Sequence, residues 1–306
     1  MPKPETDHLS TLPFELLSLI LSHLPTPSLL SLTFVSRHLH HASLHRLHSR
    51  LLHATDLDSH TLILECYHPS AKLVASHLFC TSLGTPGLES TLDYEVGQEV
   101  GRLKQLCGLY TRFLPQRKEP EERTVRRHPA GDVPGSRTHP ASRAAEAETK
   151  GNGMLVAETV SLDAGELFSQ LCCVTNLVKM APGRRRLITN IMEVSDGMIR
   201  VWRDWLGRRN GVADKKREVV GDEGILWVNN SGDSVGIKFR VKERNFRRDQ
   251  PVLFASEDEV AVSYYIEFEE LLIKTTYLLD KIERSKEQQS QEAGGRAIVF
   301  GSFTPA

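Results

Sequence analysis

His38, His41, His45 and His48 stand three and four residues apart, a spacing that stacks imidazoles along one helix face. Two neutral rings one turn apart can clamp zinc or copper. No Cys, Asp or Glu lies in the same run to complete a tetrahedral set, so the expected role is a solvated polar face that takes up protons near about pH 6. The cysteines Cys66, Cys80, Cys107, Cys172 and Cys173 are odd in number and form no CxxC pair, which argues against a disulfide framework or a zinc knuckle. Cys172-Cys173, between Leu171 and Val174, reads as small buried apolar side chains, since no activating base is evident. The chain has no GxSxG, HExxH, GxxxxGK[ST] or strand-linked GxGxxG pattern. No catalytic residue, metal site or cofactor is expected.

Two further groups of side chains could bind rather than react. Arg123, Arg126, Arg127, Arg137 and Arg143 make one stretch locally basic, a feature that attracts acidic or phosphorylated partners. Glu119, Glu121 and Glu122 dilute that charge, so a solvated loop is the simpler reading, although Gly131-Asp132-Val133-Pro134-Gly135-Ser136 is turn-rich enough to order and line a groove. Trp202, Trp205 and Trp227 anchor interfaces if exposed, but core packing is the ordinary fate of tryptophan. Trp202 and Trp205 share a face in a helix and oppose each other in a strand.

The elements that must position these groups follow from composition and periodicity. The 306 residues correspond to about two average domains, and 38 Lys+Arg against 39 Asp+Glu leave a formal charge of -1. That balance offers no global attraction for nucleic acid or an anionic membrane. The first residues lack the basic patch and apolar run of a signal peptide, so a reducing cytoplasmic or nuclear location is expected. Eight of the thirteen histidines fall at or before His53, in a Leu-rich stretch of short helices over residues 8–53.

From residue 54 the texture changes. Thr61 to Tyr67 is strand-like, and Val96, Val100, Leu103, Leu106 and Tyr110 predict a helix from Glu95 to Phe113. Residues 114–153 carry five prolines and few large apolar side chains, the pattern of a long solvated loop. Beyond Met154, alternating runs at 187–194, 225–228, 235–241 and 260–267 mark half-buried strands. Asp196-Gly197 and Ser231-Gly232-Asp233 are placed as hairpin turns between them. Glu166 to Met180 fits a helix or a strand, and Thr275 to Gln288 is helical. The fold class is therefore α+β. A three-helix module precedes a mainly antiparallel β domain over 54–306, a sandwich or open barrel, with a few helices.

Within the first module, Pro13 suits a first helical turn and Glu15 places negative charge near the positive helix end. Leu16, Leu17, Ile20, Leu21 and Leu24 form a wide apolar face before Pro25-Thr26-Pro27 breaks the helix. A second helix spans Ser28 to Phe34, and a third runs from Ser36 to about Leu52. A module this small, roughly 40–60 residues, has a marginal core of its own. Two or three apolar side chains left over, each contributing ~1.5–3 kcal/mol if buried, would make a strong interface.

These residues resemble an F-box. The string Leu12-Pro13-x-Glu15-Leu16-Leu17-x-x-Ile20-Leu21-x-x-Leu24-Pro25, followed by Leu29-Leu30-x-Leu32-x-x-Val35-Ser36-Arg37-x-Leu39-His40, carries the pattern. It departs at Thr26-Pro27-Ser28, where many F-boxes place an acidic residue. The resemblance implies that Leu12, Pro13, Leu16, Ile20, Leu29, Leu32, Val35 and Ser36 contact the small adaptor subunit of an SCF-type ubiquitin ligase and, through it, cullin. It also implies that the remaining domain holds a protein substrate. Leu62-x-Leu64-Glu65-Cys66-Tyr67, Arg127 to Ser136 and Val201-Trp202-Arg203-Asp204-Trp205-Leu206 are similar to the C-terminal part of a class of fungal F-box proteins, a resemblance that names no substrate. Two other readings stay open: a binding module acting outside any ligase, and a cryptic enzyme in the C-terminal domain.

Overall fold

The computed structural model describes residues 9, 12–71, 77–89, 101–117, 156–180, 188–210, 224–244 and 261–291. The first three helices are α1 (Phe14–Ser22), α2 (Thr26–Leu32) and α3 (Arg37–Thr55). Pro13 precedes α1, Pro25 precedes α2, and the Ser36 hydroxyl caps α3 by accepting from the Leu39 amide at 3.2 Å. Leu17, Leu21, Leu29, Ala42 and Leu47 form a small core, with Phe14, Leu24, Leu32 and Leu39 packed around it. The next apolar positions of α3, Leu44, Leu51 and Ala54, belong to a second and larger core. Helix α3 is therefore shared between the helical module and the β domain.

That larger core lies inside a nine-stranded, wholly antiparallel sheet. Its strands are β1 (His60–Tyr67), β2 (Leu78–Gly84), β3 (Tyr110–Arg117), β4 (Ala157–Leu162), β5 (Phe168–Met180), β6 (Ile188–Trp202), β7 (Ile225–Trp227), β8 (Val235–Glu243) and β9 (Val262–Lys274). They run in the order β6-β5-β1-β2-β3-β9-β8-β7, with β4 beside β9. β3 and β4 lie along the same edge of β9, one opposite Leu271 to Lys274 and the other opposite Val262 to Glu267. Period-two burial is clearest in β1, where His60, Leu62, Leu64 and Cys66 face the core.

The two ends of the sheet meet. The Asn229 amide donates to the Met198 carbonyl at 3.0 Å, joining the segment after β7 to β6. A Cβ on Gly197 would lie 2.2 Å from the Asn229 carbonyl oxygen, so only glycine permits this approach. The result is a nearly closed barrel. Asp196-Gly197 is thus no hairpin turn, because the residues before and after it both pair with one long partner, β5. Ser231-Gly232-Asp233 does lie between β7 and β8, as expected.

Among the described residues, three α-helices accompany the sheet: α4 (Arg102–Cys107), α5 (Arg203–Arg209) and α6 (Thr275–Gln291). Of the helix expected over Glu95 to Phe113, residues 95–100 lie outside the described residues, Arg102–Cys107 form α4, and Tyr110 to Phe113 pair with β9 instead. The first residues of the expected loop are strand instead. Leu114 to Arg117 pair with β2, while residues 118–153 lie outside the described residues. Pro115 is tolerated because, within β3, only Tyr110 to Phe113 pair with β9, so its missing N–H faces no described ladder partner. The segment left open between helix and strand is strand β5.

Helix α6 closes the fold against α3, β6 and the sheet interior. Leu278, Leu279 and Ile282 enter the larger core. Tyr277 Oη donates to the Val194 carbonyl at 2.8 Å, Lys281 Nζ to the Glu193 carbonyl at 3.0 Å, and Asn190 Nδ2 to the Ser285 carbonyl at 3.1 Å. These bonds engage backbone carbonyls and one side chain of β6, a stretch that would otherwise be an open sheet edge.

Candidate functional site

The helical module keeps only part of its apolar surface inside. Leu16, Leu19 and Ile20 on α1, Leu30 on α2, and Phe34 and Val35 in the α2–α3 turn are exposed, with Phe34 at 86% and Val35 at 66%. Solvent exposure of so many large apolar groups within one small module marks an interaction surface. Each side chain buried by a partner contributes ~1.5–3 kcal/mol.

The sequence-derived contact set divides on this surface. Leu16, Ile20 and Val35 are exposed, as are Pro13 and Ser36, while Leu12 and Leu32 are half-buried. Leu29 differs from the rest of the set: it is 0% exposed and lies in the helical core. In its place α2 presents Leu30. Leu19, Leu30 and Phe34 are also exposed but stand outside that set, because a motif string gives residue types, whereas the face each occupies depends on how the three helices cross. The signal available was helical phase, since Leu19 adjoins Ile20 and stands three positions beyond Leu16.

The histidine row lies alongside this surface. His41 and His45 flank the Phe14 ring at centroid distances of 5.6 and 5.3 Å. His45 is exposed at the surface, and partial desolvation, followed by the neighbouring His41 and His48, lowers its imidazole from the ordinary value. His48 is buried, with its Nε2 2.8 Å from the Leu88 carbonyl oxygen, so it ties α3 to the loop after β2. Among the described residues no group of three or more side chains is placed to hold a metal ion.

The junction to the barrel is held by side chains from three directions. Leu57, Asp58 and Ser59 adopt φ values of 61°, 41° and 69°, conformations that cost about 1–3 kcal/mol each in residues other than glycine. His60 stabilises them. Its Nδ1 lies 3.0 Å from the Leu57 carbonyl and 3.1 Å from that of Asp58, and therefore carries the hydrogen. Its Nε2 then accepts from Ser285 Oγ on α6 at 3.0 Å. Lys286 pairs with Asp58 from the same helix. Higher up α3, Arg50 Nη1 donates to Thr26 Oγ1 at 2.8 Å and to Glu283 Oε1 at 3.2 Å. Its Nη2 donates to the Ser22 carbonyl at 3.1 Å and also to that of Leu24. Arg50 thus binds the α1–α2 turn and α6 together.

Inside the barrel, Cys66 lies directly opposite Cys173, and a hydrogen bond between the thiols together with burial pushes the Cys66 thiol well up. Cys80, equally buried, is displaced the same way, so neither is an activated nucleophile. Glu158 shares the inward face of β4 with Val156 and Val160; burial raises its carboxyl, and Arg117 partly offsets that. Of the tryptophans, Trp202 ends β6 half-exposed against Phe168 at 4.9 Å. Trp205 lies in α5 and packs on the core, and Trp227 meets Tyr110 at 5.4 Å.

Compared with known protein families, residues 9–47 match the F-box domain. The match covers the exposed apolar set and most of the core beneath it, so the chain carries an F-box domain at its N-terminal end. F-box domains bind the small adaptor subunit of SCF-type ubiquitin ligases, which supports an adaptor role for this chain in general and places cullin one step beyond. F-box proteins are generally non-catalytic subunits of such complexes. No curated protein and no solved structure is significantly similar to the chain.

Proposed function

We propose that this chain recruits a protein substrate to a cullin-based SCF ubiquitin ligase, docking the adaptor through the F-box and holding the substrate on the barrel domain. The observation that carries the reading is the exposure of Leu16, Leu19, Ile20, Leu30, Phe34 and Val35 within a matched F-box. Leu12, Pro13, Leu32 and Ser36 stand in the same module, and Leu29 lies in its core. The chain then contributes proximity rather than chemical groups, raising the effective concentration of substrate near the ubiquitin-charged enzyme. Its partners are the adaptor, cullin through the adaptor, and a protein substrate.

Co-purification of the full chain with adaptor and cullin tests this. Wild type should retain both, while Ile20→Asp, Val35→Asp should lose both and remain folded by circular dichroism. A folded wild-type chain that captures neither would end the ligase reading. Capture of adaptor without cullin would instead assign a binding role outside the ligase.

A further inference from the structure

We propose that Thr26 is a phosphorylation site for a proline-directed protein kinase, and that the phosphate releases the C-terminal helix α6 from the F-box. The proposal does not rest on substrate recruitment, because its readouts lie within the chain. Three Thr-Pro dipeptides occur in the sequence: Thr26-Pro27, Thr85-Pro86 and Thr304-Pro305. The last lies outside the described residues. Thr85 sits in a hydroxyl chain, with Oγ1 3.1 Å from that of Thr55 and 2.9 Å from that of Thr111.

The surroundings of Thr26 differ in kind. Its hydroxyl donates to Glu283 Oε1 at 2.7 Å and accepts from Arg50 Nη1 at 2.8 Å, so it stands between a carboxylate and a guanidinium at the contact of α2, α3 and α6. The Arg50 side chain is 15% exposed and that of Glu283 27%. Pro25 and Pro27 on either side are exposed, and Thr26 itself is half-buried at the surface.

In the transfer, Thr26 Oγ1 attacks the γ-phosphorus of ATP. The bond from that phosphorus to the β,γ-bridging oxygen breaks, ADP leaves, and the hydroxyl proton passes to the kinase's base. The product carries about -1.5 to -2 charge where a neutral hydroxyl had bridged the pair. Arg50 gains a stronger, charge-assisted partner. Glu283 meets a like charge at hydrogen-bond distance and must withdraw, taking its turn of α6 with it. The hydroxyl therefore holds the two parts together, and its phosphate pushes them apart.

The full chain, wild type and Thr26→Val, is treated with a purified proline-directed kinase and ATP. Sites are quantified by mass spectrometry, and amide exchange is followed over 275–291. Wild type should be phosphorylated at Thr26, with exchange in α6 rising at least tenfold over the untreated protein; treated Thr26→Val should show no such rise. Glu283→Gln, which keeps the size but removes the like charge, should accept phosphate and lose most of the rise. A native chain left unmodified at Thr26 while the unfolded chain is modified there overturns the proposal. So does full phosphorylation with unchanged α6 exchange, or an equal rise in Glu283→Gln.

Discussion

Ile20 and Leu29 are both aliphatic F-box residues, and their environments separate two roles that the motif merges. Leu29 is fully buried in the helical core, so Leu29→Ala should lower stability by about 2–5 kcal/mol in urea unfolding. Ile20 is nearly half exposed, so Ile20→Asp should cost only about 1–2 kcal/mol of stability and remove adaptor capture. Equal losses of stability in the two variants would contradict this assignment.

His60 makes a pH-dependent contribution whose sign follows from its surroundings. Burial is the main cause holding its imidazole below the ordinary value of 6.5, with hydrogen bonds to the Leu57 and Asp58 carbonyls acting in the opposite direction. The unfolded chain therefore takes up this proton first as pH falls. Stability is intact above the unfolded value and declines as pH drops below it toward the folded value. Urea midpoints measured from pH 7.5 down to about pH 5.5 should fall, and His60→Asn should flatten the slope. His45 is shifted in the same direction, so the His45→Gln, His60→Asn double variant should flatten it further.

At the scale of elements, the seam at Gly197 and the clamp at Arg50 are the contacts on which closure depends. Gly197→Ala would drive a methyl group into the Asn229 carbonyl at 2.2 Å and Val228 Cγ1 at 2.8 Å. The β6–β7 seam must then part, with an expected loss of about 1–3 kcal/mol and faster amide exchange at Asn229. Arg50→Ala removes charge-assisted hydrogen bonds to Glu283, Thr26 and two carbonyls, each worth ~1.5–3 kcal/mol. Its loss should show as a lower melting temperature and as faster exchange in α6. Unchanged α6 exchange would mean that the helix is held by its apolar face alone.

Elements were legible wherever periodicity and local chemistry agreed. Ser36 capping α3, the alternation in β1, β8 and β9, and the helical run of α6 are all visible as residue patterns. Asp196-Gly197 was misleading because a turn signal becomes a turn only if its two flanks pair with each other. Here both flanks pair with β5. Tyr110 likewise completes a helical spacing, but pairing with β9 overrides that local preference.

For the whole molecule, α3 and α6 join the F-box and the barrel. Leu44, Leu51 and Ala54 of α3 share a core with Leu278, Leu279 and Ile282 of α6, so the two parts should unfold together. Removal of residues 275–291 should abolish cooperative unfolding and expose apolar surface to a dye such as ANS. A truncated chain with an unaltered single transition would show that the barrel stands without α6. On the proposed function, a shared core would present a substrate on the barrel at a constant distance from the adaptor face.

By itself the sequence determined the three N-terminal helices, the antiparallel β character of the C-terminal domain and the apolar excess of the F-box, because each is written in spacing over a few residues. The tertiary structure alone decided that Leu29 is core while Phe34 is surface. It also decided that the sheet closes at Gly197, and that Arg50, Thr26 and Glu283 meet. Those outcomes depend on helix crossings, strand partners and contacts between residues far apart in the chain, where periodicity carries no information and packing selects among faces that are locally equivalent.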